Sequence, residues 1–244
     1  MPRESERELS LIWSEEFDGP AGSPVDSDTW QPEIGGHGWG NDELQYYTGG
    51  SENASLDGAG NLAIVVRRSG PQYTSARLIS KDRVAFTYGL VEARIQLPTG
   101  RGIWPAFWML GQNIDEVGWP HCGEIDVMEN VGQEPEVVHG TVHGPGYSGS
   151  AGVTGSHDAG TSLAGGFHVY SVHWERDRIR WYFDDQLYST VTPADLQGNP
   201  WVFDHDFFLL VNVAVGGTLP GNPDGSVTFS QTMLIDYIRI YASG

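Results

Sequence analysis

The chain consists largely of short segments rich in β-branched and aromatic residues, and helical patterns are scarce. Turn clusters of Gly, Pro, Asn and Asp separate these segments, as at 57–60 and 222–225. Many short strands without interleaved helices are typical of an antiparallel sandwich or a jelly roll. We therefore predict an all-β fold whose clearest strands are 61–67, 89–97, 166–174, 178–183, 207–215 and 233–241.

The segment 103–110 differs from the others because both of its faces are apolar. As a strand it has one row that contains Trp104 and Trp108 and another that contains Phe107 and Met109. A strand that is apolar on both faces belongs in the middle of a sheet. The tryptophan row has two interpretations: packing in the core, or a platform for sugar rings. The second requires that this face line a cleft.

Length and composition indicate one folded domain. The chain has 244 residues, of which 39% are hydrophobic and 18% charged, and no apolar run is long enough to cross a membrane. We expect 1–9 to be a frayed polar segment and 10–244 to be a single domain. The one cysteine excludes an intrachain disulfide.

The charge balance narrows the choice of ligands. There are 32 acidic and 13 basic residues, which gives a net charge of −19 with neutral histidines. A field of this sign repels phosphate backbones and anionic membrane surfaces, so we expect neither nucleic acid nor membrane as a partner. A neutral ligand such as a sugar is compatible with it. The acidity also has a plain interpretation as a contribution to solubility.

The acidic segment 123–129 carries the strongest chemical signal. Glu124 and Asp126 are two residues apart, so on a strand they point to the same face. Strict alternation would place Met128 beside them, whereas one extra residue, a β-bulge, returns Glu129 to the acidic face. Crowding and burial raise the proton affinity of such carboxylates. The alternative is a solvated edge strand that carries unrelated acids.

Two of these carboxyl groups can cooperate in glycoside hydrolysis. Five strand steps with one bulge separate the two glutamate Cα atoms by roughly 13–16 Å. If the side chains lean together, the carboxyl groups approach the ~5–5.5 Å separation of retaining glycosidases. The spacing permits this geometry.

The bulged E-x-D-x-x-E pattern at 124–129 resembles glycoside hydrolase family 16, and most closely its bacterial laminarinase-like endo-β-1,3-glucanases. The shorter E-x-D-x-E pattern belongs to the lichenase-like branch, so Met128 argues against that branch. Asp42 departs from the pattern, which commonly has another Asn there, and leaves the subsites around that loop open. Further matches run in family order from about Trp13 to Tyr241: WGNDELQYYT (39–48), YTSARLI (73–79), GIWPAFWML (102–110), HGTVHGPGY (139–147), NVAVGG (212–217) and IDYIR (235–239).

The resemblance implies a β-jelly roll of two curved antiparallel sheets, concanavalin-like, with a substrate cleft on the concave face. It implies that Glu124 is the nucleophile, Glu129 the general acid/base and Asp126 the helper between them. No cofactor is expected for catalysis. The positions that it implies for substrate binding are Asn41, Arg77, Trp104, Trp108, Trp119, His143, Asn212 and Gln231.

Two groups of residues are candidates for a metal site. His139 and His143 lie about 13 Å apart if the segment is a strand, which is too far for joint chelation of zinc without a sharp turn. The resemblance implies instead a structural Ca²⁺ remote from catalysis, held by Glu16, the Gly60 carbonyl and Asp236. Only two carboxylates would contribute, so waters would complete the coordination shell.

The sequence thus predicts a secreted, monomeric, retaining endo-β-1,3-glucanase acting on laminarin-like glucans, with mixed-linkage β-glucan as a further substrate. One alternative keeps the chemistry but changes the polymer, for example to a galactan, although the negative field disfavours sulfated galactans. The other alternative is a concanavalin-like binding module that does not cut. The clustered carboxylates argue against that module.

Overall fold

The computed structural model describes residues 9–243, and this part of the chain is built almost entirely from strands. The predicted frayed segment lies outside the described residues except for Leu9, which begins the first strand. The strands are β1 (Leu9–Glu15), β2 (Gln31–Pro32), β3 (Gln45–Tyr47), β4 (Ala54–Leu56), β5 (Leu62–Ser69), β6 (Gln72–Ser75), β7 (Arg77–Ile79), β8 (Ala85–Phe86), β9 (Gly89–Gln96), β10 (Ile103–Gly111), β11 (Glu124–Glu129), β12 (Val137–His143), β13 (Val153–Asp158), β14 (His168–Glu175), β15 (Arg178–Phe183), β16 (Gln186–Val191), β17 (Phe207–Val215) and β18 (Gln231–Ser243).

Helical structure between residues 9 and 243 is confined to short turns. There is one α-helix, α1 (Ile114–Val117), and 3₁₀ turns at Gly149–Ala151, Leu163–Gly165 and Pro193–Leu196. None of the helices in this range is long and apolar enough to span a membrane.

The strands form two sheets packed face to face, which confirms the predicted jelly roll. The outer sheet has ten strands in the order β16-β15-β14-β9-β18-β5-β6-β3, with β1 beside β18 and β4 beside β5. The cleft sheet has eight strands in the order β13-β12-β11-β10-β17-β7-β2, with β8 beside β17. Pairing is antiparallel throughout the cleft sheet, whereas β3 and β6 of the outer sheet pair in parallel.

The core lies between the two sheets and fixes the strand that carries the acids. Ile125 and Val127 of β11 point into this core. Trp181 of the outer sheet is fully buried, and its indole N–H donates to the Asp126 carbonyl at 2.8 Å. Gly140 of the neighbouring β12 has no side chain because a Cβ there would lie 2.2 Å from the Trp181 ring. The indole thereby links β15 to the backbone at the centre of β11.

Strand β10 has the predicted central place and two apolar faces. It pairs with β11 on one side and β17 on the other. Phe107 and Met109 are fully buried in the core between the sheets. Trp104 and Trp108 point the other way and line a cavity on the open face of the cleft sheet. The condition that the sugar-platform interpretation requires, a tryptophan row that lines a cleft, is therefore met.

Candidate active site

A β-bulge places the acidic side chains on the open face of the cleft sheet. Against β10, Glu124 lies opposite Leu110 and Asp126 opposite Trp108, and the register then shifts by one residue so that Glu129 lies opposite Ala106. The pairing with β12 shifts over the same interval. All three acidic side chains line the cavity. The bulge predicted from the sequence is thus present and has the predicted effect.

Glu124 is held by an indole and lies close to a histidine. The Trp119 indole N–H donates to Glu124 Oε2 at 2.6 Å. The other carboxylate oxygen, Oε1, lies 3.8 Å from His143 Nε2, and the same nitrogen lies 3.2 Å from Asp126 Oδ2. His143 is the direct cross-strand neighbour of Glu124 on β12. The two acids and the imidazole form one contiguous group.

Glu129 has its own indole donor. The Trp104 N–H donates to Glu129 Oε1 at 3.0 Å. His139 lies opposite Glu129 on β12, and its Nδ1 is 2.8 Å from the Ser156 hydroxyl. Burial lowers the pKa of His139. A neutral imidazole therefore lies beside Glu129 on the β12 side.

The three carboxyl groups share a desolvated environment. Burial raises the pKa of Glu124 to about 8, with the charge of Asp126 as the next cause. Burial, followed by the charge of Glu124, raises the pKa of Glu129 to about 7. The pKa of Asp126 lies well above its usual range because of burial and the charge of Glu129. At neutral pH these groups retain protons and titrate as a coupled set.

A cavity of about 910 Å³ runs along the open face of the cleft sheet. Seven of the eight residues predicted to bind substrate line it, namely Asn41, Arg77, Trp104, Trp108, Trp119, His143 and Asn212. Gln231 does not. It begins β18 of the outer sheet, where its side chain accepts from the Thr99 N–H at 3.2 Å and donates to the Thr228 carbonyl at 2.6 Å. Gln231 therefore lies apart from the other seven residues, on a strand of the outer sheet.

Arg77 is fixed between two indoles at one side of the cavity. Its guanidinium carbon lies 4.8 Å from the Trp39 ring centroid and 4.7 Å from that of Trp108. It also forms an ion pair with Glu33. Cation–π contacts on both faces hold the planar group rigidly. The guanidinium group is thereby held at one side of the cavity.

A buried polar network below the cavity was missed by the sequence analysis, although its residues lie in the quoted 39–48 motif. Glu43 is 9% exposed and accepts from Asn41 at 3.1 Å and from the Gln45 amide at 2.6 Å. Tyr47 donates to the same carboxylate at 3.3 Å and accepts from the Asn212 amide at 3.1 Å. The Asn212 oxygen in turn accepts from the Trp108 indole at 2.7 Å. The network connects the loop before β3 to β17 and β10 across the cleft floor.

The strands β12 and β13 form the other wall of the cavity, of which the sequence analysis had predicted only His143. Their cleft-facing residues alternate along each strand, as in His139, Thr141 and His143, and period-two alternation was the signal that could have identified them. Gly152 precedes β13 and also lines the cavity. A Cβ there would lie 2.4 Å from the His143 ring, so a side chain would displace the imidazole.

The residues predicted to hold calcium do not form a calcium donor set in this arrangement. Arg239 donates to both carboxylate oxygens of Glu16 at 2.9 and 2.8 Å. Arg94 donates to Asp236 at 2.5 Å. Both carboxylates are therefore paired with arginine side chains. A Ca²⁺ site requires about 6–8 oxygen ligands around the ion.

Comparison with known proteins agrees with the fold and the acidic strand. Residues 39–239 match the model of glycosyl hydrolases family 16. The β-glucanase of Rhodothermus marinus is 44% identical over 252 residues, which cover 95% of this chain and 84% of that protein. Glucan endo-1,3-β-glucosidase A1 of Niallia circulans is 38% identical over 265 residues, covering 96% of this chain and 38% of that protein. The laminarinase catalytic domain of Thermotoga maritima MSB8 is 46% identical with a TM-score of 0.89, covering 96% of this chain and 98% of that structure. The chain therefore belongs to glycosyl hydrolase family 16.

Proposed function

We propose that this protein is a retaining endo-β-1,3-glucanase that cleaves laminarin-like glucans. The observation that carries the proposal is the arrangement of Glu124 and Glu129 on one face of the cleft, each with a separate indole donor. The names of the relatives, a β-glucanase, an endo-1,3-β-glucosidase and a laminarinase, support the choice of substrate.

In the first step, Glu124 attacks the anomeric carbon of the bound glucan and Glu129 gives its proton to the departing glycosidic oxygen. The bond from the anomeric carbon to the leaving oxygen breaks while a bond to the Glu124 carboxylate forms. Attack requires the ionised form of Glu124, which the Trp119 N–H stabilises and whose fraction grows as the pH rises toward the Glu124 pKa of about 8. Burial keeps a proton on Glu129 near neutral pH, as a general acid requires.

In the second step, Glu129 removes a proton from a water molecule, which attacks the glycosyl-enzyme from the opposite face. The bond to Glu124 breaks and the product leaves with the configuration of the substrate. Asp126 lies between the two glutamates and exchanges a hydrogen bond with Glu124. Its role is to orient Glu124 and to compensate for the change in charge as the intermediate forms and breaks.

The aromatic and neutral polar lining of the cavity supports a sugar ligand. Trp104, Trp108 and Trp119 offer ring faces or edges, while the β12–β13 wall offers hydroxyl groups of Thr141, Thr154 and Ser156. Neutral donors and acceptors of this kind match sugar hydroxyls without charge complementarity. The net charge of −19 disfavours sulfated polymers.

The experiment that tests the proposal is a reducing-sugar assay across laminarin, lichenan, agarose and xyloglucan. We expect rapid release from laminarin, slower release from lichenan and none from agarose or xyloglucan. Preference for agarose would replace the proposal by the galactanase alternative. Binding of laminarin without any release would replace it by a non-catalytic module.

The predictions of calcium binding, secretion and a monomeric state are tested separately from the activity. Because arginines occupy Glu16 and Asp236, we expect EDTA to leave the melting temperature unchanged. A drop reversed by Ca²⁺ would show that Glu16, Gly60 and Asp236 rearrange around an ion. Secretion and a monomeric state are checked by fractionation of the source cells and by sedimentation, respectively.

A further inference from the structure

Three side chains in the cleft turn one potential ligand atom each toward a common point. His143 Nε2 lies 3.2 Å from Asp126 Oδ2 and 3.8 Å from Glu124 Oε1. The ligand atoms of all three residues lie within 4.8 Å of one another. This convergence is separate from the predicted calcium residues, which lie directly after β1, in the loop before β5 and in β18.

One carboxylate oxygen at this point has no hydrogen-bond partner, and another lies opposite the oxygen that accepts from an indole. The Trp119 indole bonds to Glu124 Oε2 and leaves Oε1 for another partner. The Asp126 side chain is only 4% exposed, yet its Oδ2 is buried without a hydrogen-bond partner. A buried, unpartnered carboxylate oxygen is costly unless a cation or donor is available to it. The proximity of the three ligand atoms and the unpartnered Asp126 Oδ2 are two independent observations.

We propose that Glu124, Asp126 and His143 bind a Zn²⁺ ion that inhibits the enzyme reversibly. Zinc bonds to imidazole nitrogen and carboxylate oxygen at ~2.0–2.2 Å, so the ligand atoms of a tetrahedral site lie roughly 3.3 Å apart. The observed 3.2 and 3.8 Å separations are close to this value. The fourth position faces the cavity and is open to water. Calcium and magnesium are poor occupants because they prefer all-oxygen shells of higher coordination number.

The second shell of this site limits its affinity. His143 Nδ1 is buried and has no hydrogen-bond partner. A zinc-bound imidazole normally donates its other N–H to an acceptor, and loss of such a partner weakens binding by roughly 10–100-fold. We therefore expect binding that is reversible rather than permanent.

Inhibition follows from the position of the ion. A metal on Glu124 Oε1 occupies the lone pair that would attack the anomeric carbon, and it also fills space that the sugar needs. Zinc should therefore compete with substrate. This consequence rests on the proposed function, whereas metal binding itself does not.

The test is titration of metal-free full-length protein with Zn²⁺ by calorimetry, with Co²⁺ as a spectroscopic probe of coordination. We expect one site per chain and the visible absorption of tetrahedral Co²⁺. His143→Gln and Asp126→Asn should each weaken Zn²⁺ binding by roughly 30-fold or more, since each removes a ligand. His121→Ala is the matched control, because this exposed histidine lies outside the cleft group, and it should bind Zn²⁺ like wild type. Circular dichroism verifies that each variant is folded.

The outcomes separate the two proposals. Unchanged Zn²⁺ affinity in folded His143→Gln, or loss of binding in His121→Ala, would overturn the metal site. Laminarin hydrolysis with no Zn²⁺ binding would overturn it too and leave the glucanase proposal intact. Zn²⁺ binding that depends on His143, in a protein that hydrolyses no β-glucan, would support the metal site and refute the proposed function.

Discussion

The two glutamates of the cleft differ in their indole partners, and this difference can be tested residue by residue. Trp119 donates to Glu124, and Trp104 donates to Glu129. An N–H donor stabilises a carboxylate and so lowers its pKa, opposing the effect of burial. The balance between burial and these two bonds therefore sets the pH at which each glutamate carries its proton.

Replacing Trp104 by Phe keeps an aromatic ring and removes the donor to Glu129. Because the bond lowers the pKa of Glu129, its loss raises that pKa above the present value of about 7. The alkaline limb of the kcat/KM profile should move to higher pH. The value of kcat/KM at the optimum should fall by roughly 10–100-fold, because the hydrogen bond to the charged carboxylate is missing. A pH series on laminarin measures this, with Trp13→Phe of the outer sheet as the control. A limb that moves to lower pH would contradict the assignment of Glu129 as the acid.

Replacing Glu124 by Gln should stabilise the fold at alkaline pH. Burial raises the pKa of Glu124 from 4.5 to about 8, so between these values the folded protein holds a proton that the unfolded chain releases. Wild-type stability therefore falls as pH rises through this window, whereas the Gln variant has no proton to lose. The variant should melt close to wild type at about pH 5 and higher by roughly 3–8 °C at about pH 8.5. Glu116→Gln, at an exposed position of α1, is the control. Equal melting temperatures of Glu124→Gln and wild type at both pH values would contradict the buried-carboxyl account.

At the scale of the element, the bulge in β11 positions the third acid. Glu129 comes five positions after Glu124 in the chain. Their partners on β10, Ala106 and Leu110, are only four positions apart. Val127 and Met128 are both buried in the core as a result. A regular strand one residue shorter would place the same carboxylates opposite the same partners.

Deleting Met128 should therefore keep the acids in place. We expect a folded protein that loses about 2–4 kcal/mol of unfolding free energy through loss of one buried side chain. Its kcat should stay within roughly 100-fold of wild type, the effect of a small displacement. Inserting an Ala after Met128 reverses the alternation and should abolish turnover. Urea denaturation and laminarin kinetics check both variants, with Met128→Ala as the control for the lost side chain. An active insertion variant beside an inactive deletion variant would refute this role of the bulge.

Local patterns in the sequence predicted the elements that carry the chemistry. The two apolar faces of β10 and the bulge of β11 follow from the alternation of side chains, and the six clearest predicted segments all lie within or overlap strands. Pairings between distant segments could not be predicted in this way. The position of Gln231 outside the cavity lining is an example, because alternation does not reveal the sheet to which a strand belongs. The hydrogen bond between Tyr47 and Asn212 joins residues 165 positions apart, and no local sequence pattern predicts it.

At the scale of the whole molecule, the sandwich brings five separate stretches of chain to one cavity. The loop before β3, β7, β10–β11, the β12–β13 hairpin and β17 each contribute lining residues. Among the described residues, the outer sheet contributes no acidic side chain to the cavity lining, but its Trp181 supports the backbone at Asp126. Rigid support from the opposite sheet keeps the carboxylates fixed relative to one another, as double displacement requires.

The measurement that tests the central claim most directly is the anomeric configuration of the product formed when azide rescues a glutamate variant. If Glu124 is the nucleophile, Glu124→Ala with an activated β-laminaribioside and azide should yield the α-glycosyl azide, because azide attacks directly from the vacated face. Glu129→Ala should yield the β-glycosyl azide, because azide then attacks the glycosyl-enzyme formed on Glu124. Proton NMR distinguishes the two anomers. The opposite pair of products would exchange the roles of Glu124 and Glu129. If Glu124→Ala hydrolysed laminarin without azide at about a tenth of the wild-type rate, covalent catalysis by this residue would be contradicted.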